Sequence, residues 1–164
     1  RKNISFLDKE DLRPTLGRVR ETLFNWLHQD LTSKTCLDLF AGTGSLSFEA
    51  LSRDAKSSTI LEKDKDIWSK LVQNKDSLNT DRAKIINTSA ELFLKKNQEK
   101  FDIIFFDPPF TKPFLYKLMI NLHNHLKPHG LVYFESNNSY HGNEFKIFKS
   151  SRVVQVYFYL LIQN

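Results

Sequence analysis

The chain has 164 residues, 40% of them hydrophobic and 26% charged, and 24 Lys plus Arg against 19 Asp plus Glu leave a net charge of +5. This is ordinary globular usage, unlike a disordered tail or a coiled coil, and at about 150 residues per domain it makes one compact unit with a core large enough to need no staple. The single cysteine, Cys36, excludes an internal disulfide framework and any multi-cysteine metal site, and suits a reducing, cytoplasmic setting.

Residues 1–12 are polar and lack a period, so they read as an arm. The chain does not begin with Met, and native residues are expected to precede Arg1. No charged-then-apolar leader opens it, and no apolar run approaches the roughly 18 residues of a spanning helix. Pro14 can start a helix, and Val19, Leu23, Phe24 and Leu27 follow at helical spacing, with Arg18, Arg20 and Glu21 between them. Short apolar runs then alternate with helical stretches. Strands are expected at 35–40, 58–61, 83–86, 101–106 and 130–135. Helices are expected at 45–51, around Ile67 to Leu78, at 90–96 and at 115–126. Such alternation implies βαβ units and a parallel sheet covered on both faces. After the polar stretch 136–143, two strands joined by a Lys149-Ser150-Ser151 link must be antiparallel, because a parallel crossover needs a dozen residues or more. Most of the 14 Phe belong to the core, as do Trp26, Trp68 and Tyr116.

Four places carry chemistry. Asp38-Leu39-Phe40-Ala41-Gly42-Thr43-Gly44 sits at a strand-to-helix junction, where ligands bind in open α/β sheets. Position 47 is Ser rather than the third glycine of a dinucleotide cradle, and Asp38 would repel a pyrophosphate but suit a cationic ligand. A tight structural turn explains the glycines equally well. Glu62, 18 positions beyond Gly44, can accept from two ribose hydroxyls or stand as a solvated charge. Ser89-Ala90 can read an adenine edge, and Ser89 can equally cap the following helix. The sharpest motif is Asp107-Pro108-Pro109-Phe110. Prolines lack N–H groups, so this corner presents acceptors only and suits an amino group. The Asp107 carboxylate and the Pro108 carbonyl can draw an exocyclic amine's hydrogens out of plane and localise its lone pair, while Phe110 stacks on an extruded base. A strand-ending turn with a core Phe is the bland alternative.

D-x-F-x-G-x-G at 38–44 and [DNS]-P-P-[YF] at 107–110 resemble the class I S-adenosylmethionine-dependent amino-methyltransferases. Arg13-Pro14-Thr15, the block Arg18 to Leu27, Cys36 to Leu46, Glu49 to Arg53 and Phe106 to Phe110 resemble more closely the RsmD family of bacterial 16S ribosomal RNA guanine-N2 methyltransferases. The resemblance implies a Rossmann-like, seven-stranded, mostly parallel sheet with an antiparallel C-terminal strand and helices on both faces. It implies S-adenosylmethionine as cofactor, leaving as S-adenosylhomocysteine, with Asp38, Phe40, Gly42, Thr43 and Gly44 at its methionine part. Glu62 would then meet the ribose, Ser89 and Ala90 the adenine side, and Asp107, Pro108, Pro109 and Phe110 the guanine.

The partner implied is 16S rRNA or the small ribosomal subunit, met by residues 1–30, with 31–164 as the methyltransferase domain. Arg13, Arg18 and Arg20 would touch RNA, in keeping with the pI near 9.3, although a solvated helix face accounts for them too. Leu16-Gly17 and Ser89 depart from the family pattern. A monomer is expected, with no membrane and no metal, since His123-x-His125 would point to different faces of a helix. The rivals are a DNA adenine-N6 or protein glutamine-N5 methyltransferase, a non-catalytic nucleotide- or RNA-binding module, and a nicotinamide oxidoreductase, the last disfavoured by Asp38 and Ser47.

Overall fold

The structure, a computed structural model, describes residues 14–164, with side-chain surroundings from residue 17 onward. Arg1, Lys2 and Arg13 lie outside the described residues. The elements run α1 (Pro14–Trp26), β1 (Thr35–Asp38), α2 (Ser45–Ser52), β2 (Ser57–Leu61), α3 (Lys65–Leu78), β3 (Ala83–Ile86), α4 (Ala90–Lys96) and β4 (Phe101–Phe106). A 3-10 helix (Pro113–His125), β5 (Leu126–Ser136), β6 (Lys146–Val153) and β7 (Val156–Ile162) complete the chain. The strands form one sheet in the order β3-β2-β1-β4-β5-β7-β6, with β1 to β5 parallel and β7 antiparallel to both neighbours.

Alternation along the strands sorts the core into two layers. Cys36, Ile60, Ile103, Phe105 and Tyr133 join Leu23, Phe24, Phe48 and Leu71 on one side. Leu37, Leu61, Ile104, Phe106 and Phe134 join Ala90, Leu94, Leu118 and Leu122 on the other. Helix α1 belongs to the first layer, because its apolar stripe Val19, Leu23 and Phe24 is buried there with Leu27, the residue that follows it. From β1 the chain goes to β2 on one side, while β4 flanks β1 on the other. The connections that leave the carboxyl ends of the paired β1 and β4 therefore run to opposite sides and open a crevice at the switch point.

Several boundaries differ from the sequence expectation. The first strand ends at Asp38, so Phe40 lies past it, and the fifth begins earlier, at Leu126. The stretch after Lys112 winds as a 3-10 helix. Its buried Leu115, Leu118, Leu122 and His125 are spaced by three or four residues, which serves either kind of helix. The hairpin turn is not Lys149-Ser150-Ser151. Those residues pair with Leu160, Tyr159 and Phe158 inside β6, and the link is Val154-Gln155, between the paired Val153 and Val156. β6 is an exposed edge strand, where Lys and Ser are the ordinary protective residues and read in sequence as a loop.

That turn costs stability. Val154 has φ 56 and is 70% exposed, a left-handed backbone that a β-branched residue adopts poorly and that Asn or Gly adopts readily. Val154→Asn is expected to raise unfolding stability by about 1 kcal/mol, read as a higher urea midpoint at unchanged slope. A lower midpoint would show that the side chain contributes more than its backbone loses.

Candidate active site

One cavity of about 1060 Å³ opens over the carboxyl ends of β1, β2, β4 and β5 and gathers nearly every residue singled out from sequence. Asp38, Phe40, Gly42, Thr43, Glu62, Ser89 and Ala90 line it on one side, and Asp107, Pro108, Pro109 and Phe110 on the other. Arg20 and Gly17 of α1 also line it, whereas Arg18 is exposed and lies outside the lining. Gly44 does not line it either.

The glycine turn shows why. Gly42 and Gly44 have φ 56 and φ 77, both in the left-handed region. Among the described residues a Cβ on Gly42 meets nothing within 4 Å, so it would enter the cavity. A Cβ on Gly44 would lie 2.6 Å from Leu71 Cδ2 and 2.7 Å from Phe48 Cε2, inside the core. Gly44 thus lets α2 start tight against α3, and Gly42 leaves bare backbone toward a ligand.

Two carboxylates frame this turn. Glu62 Oε1 accepts the Gly42 N–H at 3.1 Å and its Oε2 accepts the Asp64 N–H at 2.9 Å. Each oxygen retains a lone pair for a further donor. Asp38 is buried at the cavity floor and accepts the Ser47 hydroxyl at 2.7 Å, and Ser47 in turn accepts the Ser58 hydroxyl at 3.0 Å. Ser47, the residue that breaks the dinucleotide pattern, is thereby the anchor of Asp38. Burial pushes the Asp38 carboxyl up to about 7; Ser47 and the Phe40 N–H lower it and the Glu62 charge raises it further. Its hydrogen-bond partners are neutral, and among the described residues no cation forms a salt bridge with this buried acid.

A ligand amine would supply that charge, and the sign follows. Cation binding requires the ionised carboxylate, so affinity for an amine-bearing ligand should rise as pH climbs through about 7, with a proton released on binding. Titration calorimetry in buffers of different ionisation enthalpy reads that proton, and Asp38→Asn should abolish the pH dependence. For the unliganded protein, the raised value means that Asp38 contributes stability fully below its ordinary 3.8, a contribution lost as pH rises through about 7.

On the far side, β4 ends where Asp107, half-buried, meets the two prolines; the Pro109 carbonyl accepts the Lys112 N–H at 3.0 Å and closes the corner. Phe110 is 39% exposed, a ring free of the core at the cavity wall. Ser89 caps α4 by accepting the Leu92 N–H at 3.1 Å, so its side chain is engaged in a residue that lines the cavity. Cys36 is buried and its thiol is pushed up to about 12, chiefly by burial.

Sequence reasoning did not single out Tyr133 and Glu135, both buried, both on β5 and both lining the cavity. The available signal was their position at the carboxyl end of a parallel strand.

This strand order, the antiparallel β7 and a glycine turn facing an Asp-Pro-Pro-Phe corner define a Rossmann-like class I methyltransferase fold. The solved structure of the Escherichia coli protein yhhF superposes with a TM-score of 0.84 at 35% identity, covering 93% of this chain and 88% of that one. The chain belongs to the family described as conserved hypothetical protein 95, whose family model matches residues 1–160. It is similar to ribosomal RNA small subunit methyltransferase D of Haemophilus influenzae, with 45% identity over 141 residues, 82% of this chain and 73% of that protein. With the Escherichia coli protein of the same name it shares 40% over 131 residues, 79% of this chain and 66% of that protein. The chain therefore spans from 66% to 73% of the length of these relatives.

Proposed function

We propose that this protein methylates small-subunit ribosomal RNA, taking the methyl group from S-adenosylmethionine to N2 of a guanine. The observation that carries this reading is the meeting, in one cavity, of a buried acid beside bare glycine backbone and an acceptor-only corner beside an exposed aromatic ring. The similarity to enzymes named for small-subunit rRNA supports the substrate class.

The residues fit the cofactor. Asp38 would balance its amino group, Gly42 admit its methionine part, Glu62 take its ribose hydroxyls and the Ser89-Ala90 backbone border its adenine. When bound, S-adenosylmethionine supplies an electrophilic methyl group on a cationic sulfur. The chain itself does positioning. Asp107 and the Pro108 carbonyl accept from the guanine amine and bring its lone pair out of conjugation, which stabilises the positive charge that grows on nitrogen in the transition state. Asp107 is also placed to take the proton that the methylated amine must lose. Phe110 stacks on the base and fixes its plane. Arg18 and Arg20 of α1 hold phosphates of the RNA, contacts that position without reading sequence.

The deciding experiment is transfer of a tritiated methyl group to 16S rRNA, and separately to small subunits, from cells lacking the enzyme, with the modified nucleoside identified by mass. N2-methylguanosine is the expected product. Label on adenine, on protein glutamine or on nothing would select one of the rival readings.

A further inference from the structure

Asp107 and the Pro108 carbonyl would hold any exocyclic amine, adenine's as well as guanine's. The cavity wall next to them carries a second carboxylate. Glu135 is 7% exposed, lines the cavity, and through Oε2 accepts the hydroxyl of the fully buried Tyr133 at 2.6 Å. Phe106 pairs with Phe134 in the parallel register of β4 and β5, so Asp107 and Glu135 come next on neighbouring strands, whose spacing is about 4.8 Å. Tyr133 is the hydrogen-bond partner of Glu135 among the described residues, and no salt bridge there includes Glu135. Oε1 is thus available to whatever fills the cavity. Burying a carboxylate costs several kcal/mol unless donors meet it, and Tyr133 supplies one donor only.

The bases differ at the atom beside the amine. Guanine carries N1–H next to its N2 amine, two donors side by side, whereas adenine presents an N1 lone pair next to its amine. The base 2-aminopurine has guanine's N2 amine beside an N1 lone pair. An acceptor at the place of Oε1 pairs with guanine and repels the other two. We propose that Glu135, held by Tyr133, accepts the N1–H of the target guanine and is the residue that selects guanine among amine-bearing bases. This rests on the guanine-N2 reading above and adds the group responsible for it.

The test compares guanine with 2-aminopurine at the target position, in whichever form, naked 16S rRNA or reassembled small subunit, supports methylation of guanine. The parent protein should favour guanine at least a hundredfold in kcat/KM, as expected where a site is left with an unpaired buried polar group. Glu135→Gln offers a donor as well as an acceptor, so guanine turnover should fall, 2-aminopurine turnover should rise, and the preference should shrink tenfold or more. Tyr133→Phe, which keeps the ring in the core, should weaken the preference in the same direction. A merely structural role for Glu135 would lower both substrates together and leave their ratio alone. Equal turnover of the two bases by the parent protein overturns the proposal without any variant, and so does an unchanged ratio in both variants. Absence of N2-methylguanosine in both substrate forms would instead sink the guanine-N2 reading, and this inference with it.

Discussion

Asp107→Ala is expected to lower methyl transfer a hundredfold or more while leaving the affinity for S-adenosylmethionine close to that of the parent protein. The magnitude is that of removing one preorganised group aimed at a developing charge. The separation of the two effects follows from the architecture. Asp107 follows β4 at the proline corner, whereas the groups proposed to hold the cofactor belong to the end of β1, the glycine turn, the residue after β2 and the start of α4. Single-turnover transfer and calorimetric titration read the two effects separately. Near-full turnover in the variant would remove Asp107 from the role given to it, and loss of cofactor binding would move it to the other side of the cavity.

The second large effect separates the two glycines of the turn. Gly44→Ala should cost roughly 2–4 kcal/mol of stability, combining a left-handed backbone with overpacking of a filled core. Its new methyl group would collide with Leu71 and Phe48. Gly42→Ala should cost only about 1–2 kcal/mol, from the backbone alone, because among the described residues its methyl group meets only cavity. Cofactor affinity should reverse the order, with Gly42→Ala losing tenfold or more and a folded Gly44→Ala losing less. Urea titration paired with calorimetry checks both. A Gly44 variant as stable as its parent would show that α2 and α3 can part without cost.

Much of the fold was legible because its signals are local. Ala83–Ile86, Phe101–Phe106 and Ala90–Lys96 form where their own composition and capping dictate, Ser89 included. The hairpin turn was misplaced because polarity alone marks both a loop and an edge strand, and only pairing with β7 tells Lys149-Ser150-Ser151 from a turn. Gly42 and Gly44 look alike in sequence, and their different surroundings depend on α3, more than twenty positions away.

By itself the sequence determined which chemistry could be present: an acid and bare backbone at one strand end, and an acceptor-only corner at another. The periods of the apolar residues also determined an alternating sheet whose last strands reverse. Only the tertiary structure decided that Asp38, Glu62 and Asp107 share one cavity, that Ser47 anchors Asp38, and that Glu135 stands beside the corner. The reason is that composition and turn chemistry act over a few residues, whereas strand order and register are set by burying both faces of the sheet at once. That condition joins distant segments and has no signature in any one of them.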